Sequence, residues 1–127
     1  MRAQDRRIIV VEDHADSLDL LLTVARASAV DCVGAATVEE ARRVFLERRP
    51  DLVITDYNLP DGNGLDLLRW IRTVQRAHDL IAVVLVSAHR ERETLRDEAA
   101  VSGALFLPKP IDAGALHEAI EAALQRC

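Results

Sequence analysis

Residues 52–64 have the sequence LVITDYNLPDGNG, in which a short apolar run ends at a carboxylate and a turn-rich segment follows. An apolar run of this length that is bounded by turn residues is typical of a buried strand. Asn, Pro, Asp and Gly dominate the residues after Asp56, which indicates a loop. The stretch therefore predicts a strand ending at Asp56, with the carboxylate presented at the edge of a sheet rather than packed inside it.

Three other apolar runs also end at side chains that can take part in chemistry. Ile8–Val11 leads to Glu12 and Asp13, Ile81–Val86 leads to Ser87, and Leu105–Leu107 leads through Pro108 to Lys109 and Pro110. If these runs are parallel strands, their carboxyl ends lie on one edge of the sheet, because parallel strands share a direction. Ligands of open α/β sheets bind at that edge. We therefore expect three carboxylates, a hydroxyl and an ammonium group to converge there.

The stretches between the runs have helical periodicity. A fifth run, Cys32–Ala36, also indicates a strand, and Thr37 with Glu40 forms a capping box that begins the next helix. Five strands alternate with five helices, which predicts an α/β fold with a doubly wound parallel sheet and helices on both faces. The sequence shows neither an internal repeat nor a linker, so we expect a single domain over residues 1–127.

Composition excludes several functional classes. Half of the residues are apolar and 29% are charged, which is an ordinary globular balance. The net charge of −5 and the lack of a basic stripe argue against direct binding of nucleic acid. The longest apolar stretch, Leu80–Val86, is far below the roughly 20 residues that span a bilayer. With no signal peptide and only two cysteines, the sequence predicts a cytoplasmic protein.

The converging side chains suggest phosphoryl chemistry. A carboxylate such as Asp56 can attack a phosphoryl group and form an acyl phosphate, although a turn aspartate is the simpler alternative. Glu12 and Asp13 beside it would repel one another and Asp56 unless a cation lay among them, and Mg²⁺ prefers such oxygen ligands. Lys109 can pair with a phosphoryl oxygen, or can be a surface lysine before a helix. Ser87 can donate its hydroxyl to the same group, or can be a strand-end turn former.

In order and spacing, these residues are similar to the motifs of one family. The acid pair Glu12-Asp13, the run Asp56–Pro60 with Gly64 beyond it, Ser87-Ala88 and Lys109-Pro110 resemble those of the receiver domains of two-component response regulators. The resemblance covers the whole chain and implies a flavodoxin-like sheet of strand order 2-1-3-4-5. It also implies a phosphoacceptor signalling domain that is not an enzyme, since a receiver catalyses only its own aspartyl phosphorylation and dephosphorylation.

The resemblance also implies a role for each residue of the site. Asp56 would be the phosphoacceptor, and Lys109 would hold a phosphoryl oxygen. Asp13, Asp56 and the main-chain carbonyl of Asn58 would ligate Mg²⁺ directly, and Glu12 would act largely through water.

A second group of residues would form a switch. Ser87 would move to meet the phosphoryl group and Phe106 would turn inward, although Phe106 lacks the hydroxyl of the more frequent tyrosine. Asn58 and His89 would flank the path of the attacking water. The segment from Gly103 to Lys109 is one residue shorter than usual in the family. The geometry of the loop between the fourth helix and the fifth strand is therefore left open.

The implied partners are a histidine kinase or histidine phosphotransfer protein, which would dock near the first helix. A downstream protein or a second copy of the chain would bind the face made by the fourth helix, the fifth strand and the fifth helix. Two alternatives remain: a Mg²⁺-dependent phosphohydrolase, disfavoured because Asn58 stands where a second acid is needed, and a receiver that serves only as an interaction module. The sequence does not distinguish a stand-alone receiver from part of a longer regulator or hybrid kinase.

Overall fold

The computed structural model describes residues 5–76, 80–88 and 92–125. Ten main elements follow one another as β1 (Arg7–Val11), α1 (Ala15–Ala25), β2 (Asp31–Ala35), α2 (Val38–Arg48), β3 (Leu52–Asp56), α3 (Gly64–Val74), β4 (Ala82–Ser87), α4 (Arg92–Val101), β5 (Leu105–Pro108) and α5 (Ala113–Gln125). The predicted alternation of strands and helices is confirmed. Among the described helices, none is long and apolar enough to cross a bilayer.

The five strands form one parallel sheet in the order β2-β1-β3-β4-β5, which confirms the flavodoxin-like order. β1 pairs with β2 on one side and with β3 on the other, so the chain winds in opposite directions from the centre of the sheet. Such a reversal opens a crevice beyond the carboxyl ends of the two central strands, where doubly wound proteins bind ligands. Glu12 directly follows β1 at this crevice, and Asp56 ends β3 there.

Two hydrophobic layers enclose the sheet. Along β1, Ile9 and Val11 belong to the layer that contains α2 and α3, whereas Ile8 and Val10 belong to the layer that contains α1 and α5. Alternate residues of a strand point to opposite faces, so a sheet covered on both faces needs apolar side chains at every position. For this reason the central strands appear in the sequence as uninterrupted apolar runs.

Side-chain caps define the N-termini of α2 and α3. Thr37 Oγ1 accepts a hydrogen bond from the Glu40 N–H at 3.0 Å, as the capping box predicts. Asn63 Oδ1 accepts a hydrogen bond from the Asp66 N–H at 2.8 Å and caps α3 in the same manner. Both helices therefore begin at fixed points, because each cap satisfies a main-chain donor that has no partner within its helix.

The segment after Asp56 is more ordered than its composition predicts. Instead of a loop, it forms a short antiparallel hairpin, the site hairpin, in which Asn58–Leu59 pairs with Gly62–Asn63. Leu59 is buried in the core and anchors the hairpin. Strands of two residues leave no periodicity in a sequence, so the pattern analysis missed them. The second strand of the sheet spans Asp31–Ala35 rather than Cys32–Ala36.

Candidate functional site

Side chains from three strand ends meet at the crevice. Lys109 Nζ lies 3.2 Å from Asp56 Oδ2 and 3.4 Å from Glu12 Oε2. Lys109 is the only lysine in the sequence. A single ammonium group thus contacts two carboxylates that come from β1 and β3.

Both of these carboxylates are buried. Glu12 is 0% exposed and Asp56 is 4% exposed. The expectation that Asp56 is presented rather than packed is therefore wrong, because β3 lies between β1 and β4 in the sheet and Lys109 covers the end of the strand. A buried carboxylate keeps its charge only where its neighbours compensate for lost water.

The charge of Asp56 is poorly compensated. Burial, followed by the negative charge of Glu12, raises the pKa of Asp56 to about 6, although Lys109 opposes both effects. One ammonium group between two carboxylates leaves an excess of negative charge. A bound cation would offset that excess and favour the ionised form of Asp56.

The neighbours of Asp56 keep their charges. Burial acts to raise the pKa of Glu12, but hydrogen bonds from His14 and the proximity of Lys109 outweigh it, so this pKa lies below its ordinary value. Burial acts to lower the pKa of Lys109, but Asp56 and Glu12 outweigh it and raise that pKa. Asp56 is therefore the member of this trio whose charge is least stabilised.

His14 is a neighbour of the site that the sequence analysis missed. Its main-chain N–H donates to Glu12 Oε1 at 3.1 Å, and its ring Nδ1 lies 3.0 Å from the same oxygen and 3.3 Å from Asp13 Oδ1. The hydrogen bond with Glu12 is the main cause that raises the pKa of His14. The signal for His14 in the sequence is its place directly after the acid pair.

The donors at the crevice suit a hard divalent cation. Possible ligand atoms of Glu12, Asp13 and His14 lie within 4.8 Å of one another. The Asp13 side chain is 30% exposed, which leaves it accessible to water, whereas Glu12 is enclosed. Mg²⁺ favours carboxylate and carbonyl oxygens and usually keeps several waters, so the partly exposed Asp13 beside two buried carboxylates fits it.

The main chain holds Asp56 and the site hairpin close together. The Tyr57 N–H donates to the Val86 carbonyl at 2.8 Å, and the Gly64 N–H donates to the Tyr57 carbonyl at 2.7 Å. A Cβ atom at Gly64 would lie 2.5 Å from the Asp56 carbonyl oxygen and 2.7 Å from Leu85 Cδ1. Glycine is required at position 64 because the start of α3 passes so close to the end of β3.

Ser87 and Phe106 lie on the strands beyond Asp56. Ser87 is fully buried, its hydroxyl donates to the Ala88 carbonyl at 3.4 Å, and its own carbonyl accepts from the Lys109 N–H at 2.8 Å. Phe106 is partly buried against the core, and the guanidinium of Arg96 lies 5.6 Å from its ring centroid. Although a shortened segment was expected from Gly103 to Lys109, β5 lies within it, pairs with β4 and brings Lys109 to the crevice.

The remaining predicted positions are less informative. The Lys109–Pro110 peptide bond is cis, a form that an X–Pro bond adopts at small cost. Asn58 is exposed and lies in the first strand of the site hairpin, two residues beyond Asp56. His89 falls outside the described residues.

A groove adjoins the site on the side of α1. Its volume is about 260 Å³, and it is lined by Glu12, Ser17, Leu20, Leu21, Lys109, Pro110 and Ile111. Leu20 is 43% exposed and supplies apolar surface beside the polar site. The groove connects Glu12 and Lys109 with the surface of α1.

The fold and the site together define a class of protein: a doubly wound α/β domain with buried carboxylates and a lysine ammonium group at the carboxyl ends of its strands. Residues 8–121 match the family model of the response regulator receiver domain, and the chain belongs to that family. Apart from Arg7 at the start of β1, the match covers the sheet, and it includes all the site residues named above.

Individual proteins agree with this assignment. The response regulator protein PilR of Pseudomonas aeruginosa is 32% identical over 120 residues, which cover 94% of this chain and 26% of PilR. The polar-differentiation response regulator DivK of Brucella anthropi is 26% identical over 112 residues, which cover 84% of this chain and 91% of DivK. The chain spans about a quarter of PilR and about half of the phosphate regulon regulator PhoB of Pseudomonas aeruginosa.

Solved structures show the same fold. A receiver domain protein from Clostridium thermocellum has a TM-score of 0.84 at 28% identity over 95% of both chains. The receiver domain of NtrX from Brucella abortus has a TM-score of 0.83 at 30% identity, over 94% of this chain and 99% of that domain.

Proposed function

We propose that the chain, as a single receiver domain over residues 1–127, accepts a phosphoryl group on Asp56 from a histidine kinase or a histidine phosphotransfer protein. The observation that carries this proposal is the contact of Lys109 Nζ with Asp56 Oδ2 at 3.2 Å, in the crevice between the central strands. The carboxylate and the ammonium group lie where ligands of this fold class bind. The cytoplasmic location expected from the sequence remains part of the proposal.

In the proposed transfer, an Asp56 oxygen attacks the phosphorus of a phosphohistidine. A phosphorus–oxygen bond forms, the phosphorus–nitrogen bond breaks, and the imidazole leaves with the electron pair. Lys109 balances the charge of a phosphoryl oxygen, and the buried Ser87 hydroxyl donates to another once it turns toward the group. Because phosphoryl transfer depends mostly on positioning and charge compensation, these few groups are enough to promote it.

The proposed cofactor is Mg²⁺, which supplies positive charge at the phosphoryl group. Asp13, Asp56 and the Asn58 carbonyl would hold the ion directly, and Glu12 would do so largely through water. The excess negative charge of Glu12 and Asp56, which Lys109 balances only in part, supports this assignment.

The proposed output is a change on the face formed by α4, β5 and α5. Movement of Ser87 toward the phosphoryl group leaves space into which Phe106 can turn. Since Phe106 packs under the guanidinium of Arg96, its inward turn would uncouple the ring from α4. A downstream protein or a second copy of the chain would then recognise the altered face. In this way a local change of charge at Asp56 would alter a packed element at a distance.

The kinase or phosphotransfer protein is proposed to dock beside α1. The groove there leads to Glu12 and Lys109, and the exposed Leu20 offers apolar contact next to the site. A donor histidine placed over this groove would reach the crevice from the open side.

The test is intact-mass spectrometry after incubation with acetyl phosphate, with and without Mg²⁺. We expect one added phosphoryl group, and we expect it to require both Mg²⁺ and Asp56. Asp56→Asn is the decisive variant, and Asp19→Asn on the exposed face of α1 is the matched control that retains labelling. Labelling of Asp56→Asn would place the nucleophile elsewhere. Absence of labelling in a chain that still binds beryllofluoride would point to rapid hydrolysis, and absence of both would reject the proposal.

A further inference from the structure

The site hairpin is attached to the N-terminus of α2 by one side chain. Asp61 Oδ1 accepts a hydrogen bond from the Val38 N–H at 2.8 Å, and Asp61 Oδ2 accepts one from the Glu39 N–H at 3.0 Å. The partners are 23 and 22 positions apart in the sequence. We call this pair of hydrogen bonds the Asp61 clamp.

The clamp completes the cap of α2. The first N–H groups of a helix have no partner within it, and a side chain just before the helix usually satisfies one of them. Thr37 accepts the hydrogen bond from the Glu40 N–H. The two preceding donors, the N–H groups of Val38 and Glu39, therefore depend on Asp61, which lies outside the helix and its flanking turn. Those hydrogen bonds also hold the pKa of Asp61 below its ordinary value, and the ionised carboxylate suits the positive end of the helix dipole.

Other contacts position the hairpin around the clamp. A Cβ atom at Gly62 would lie 3.3 Å from Val38 Cγ2, so the hairpin lies close against the first residue of α2. Asn63, at the end of the hairpin, caps α3. The hairpin is therefore held between the N-termini of two helices, which fixes a ladder of two residue pairs that would be marginal alone.

We propose that Asp61 is a positioning residue that sets the place of the Asn58 carbonyl and thereby the affinity of the chain for Mg²⁺. This inference rests on the proposed function, in which that carbonyl is a metal ligand. Asn58 is exposed and its side chain does not anchor it in the core, so its placement depends on the hairpin. Groups that orient metal ligands without touching the metal commonly change affinity by about 10- to 100-fold when removed.

The experiment compares Mg²⁺ affinity, measured by isothermal titration calorimetry, in the wild-type chain and three variants. Asp61→Ala removes both hydrogen bonds and is expected to weaken Mg²⁺ binding by about tenfold or more. Asp61→Asn keeps only one acceptor oxygen, so an intermediate loss is expected. Thr37→Ala is the matched control, because it removes a cap from the same helix without touching the hairpin, and it is expected to lower the melting temperature while Mg²⁺ affinity stays unchanged.

Two results would overturn the inference alone. If the wild type binds Mg²⁺ and Asp61→Ala binds it with the same affinity, the clamp does not position a ligand. An equal loss in Thr37→Ala would assign the effect to the stability of α2. If Asp61→Ala does not fold, the comparison of Asp61→Asn with Thr37→Ala decides in the same way. A wild-type chain that binds no Mg²⁺ would instead reject the proposed metal site, and the inference with it.

Discussion

A single lysine carries the positive charge at the centre of the site. The ammonium group of Lys109 is held between Asp56 and Glu12, and this proximity more than offsets partial burial in setting its pKa. Lysine is suited to the place, because its compact charge can shift from a carboxylate to a nearby phosphoryl oxygen by rotation of a flexible stem. The same contact keeps Asp56 from being more strongly protonated.

The uniqueness of Lys109 allows this contact to be measured directly. Reductive methylation with ¹³C-formaldehyde labels Lys109 and the N-terminal amine, which titrates at lower pH. We expect the pKa of Lys109 to lie above the ordinary lysine value of about 10.4, and to fall in Asp56→Asn because a neighbouring charge is lost. The Asp19→Asn variant serves as a control with the same change in net charge. Identical Lys109 titrations in the wild type and Asp56→Asn would contradict the contact.

At the scale of the elements, the close approach of β3 and α3 depends on one glycine, Gly64. The main chain at the start of α3 lies close to the Asp56 carbonyl. This close approach holds the site hairpin next to the end of β3. We expect Gly64→Ala to destabilise the domain by about 1–3 kcal/mol, because the new Cβ would overlap main-chain atoms that cannot rotate away. Chemical denaturation measures this change.

A second glycine supplies the control for that prediction. Gly114 lies near the start of α5, where a new Cβ would meet nothing closer than Asp112 Oδ2 at 3.8 Å. Gly114→Ala should therefore not destabilise the domain, and helix propensity should raise its stability by at most about 1 kcal/mol. A neutral Gly64→Ala would show that α3 can shift without cost.

The elements themselves were largely predictable, and the contacts between them were not. The runs that became β1, β3 and β4 are apolar at nearly every position because both faces of the sheet are covered, and this pattern is visible in any sequence window. The clamp from Asp61 to Val38 joins residues 23 positions apart, and Asp61 in a Pro-Asp-Gly context indicates only a turn. The burial of Asp56 was mispredicted for the same reason, since the groups that enclose it come from other strands.

At the scale of the whole molecule, the functional site lowers the stability of the fold. The sheet places two carboxylates in a buried crevice with one ammonium group, and Asp56 is the group that is left poorly compensated. Sites arranged for function commonly reduce the stability of the fold that contains them. This loss of stability should be visible as a dependence of the unfolding free energy on pH.

The sign of that dependence follows from the pKa of Asp56. In the folded chain this pKa is about 6, whereas an unfolded aspartate titrates near 3.9, so the native state binds more protons between these values. The stabilising effect of protonation is complete below about pH 4 and is lost as pH rises through about 6. In EDTA, we therefore expect Asp56→Asn to be more stable than the wild type by about 1–3 kcal/mol at pH 7.5, and to match it near pH 4. Denaturation curves at both pH values measure the difference.

Adding Mg²⁺ distinguishes this account from a general effect of removing a charge. An ion that binds only the folded wild type stabilises it by mass action, so the advantage of Asp56→Asn at pH 7.5 should shrink as Mg²⁺ is added. Asp19→Asn, with its exposed side chain, should follow the wild type at every Mg²⁺ concentration. An advantage of Asp56→Asn that is the same at both pH values, or that Mg²⁺ leaves unchanged, would mean that the buried charge is compensated within the fold and that the crevice has no need of a cation.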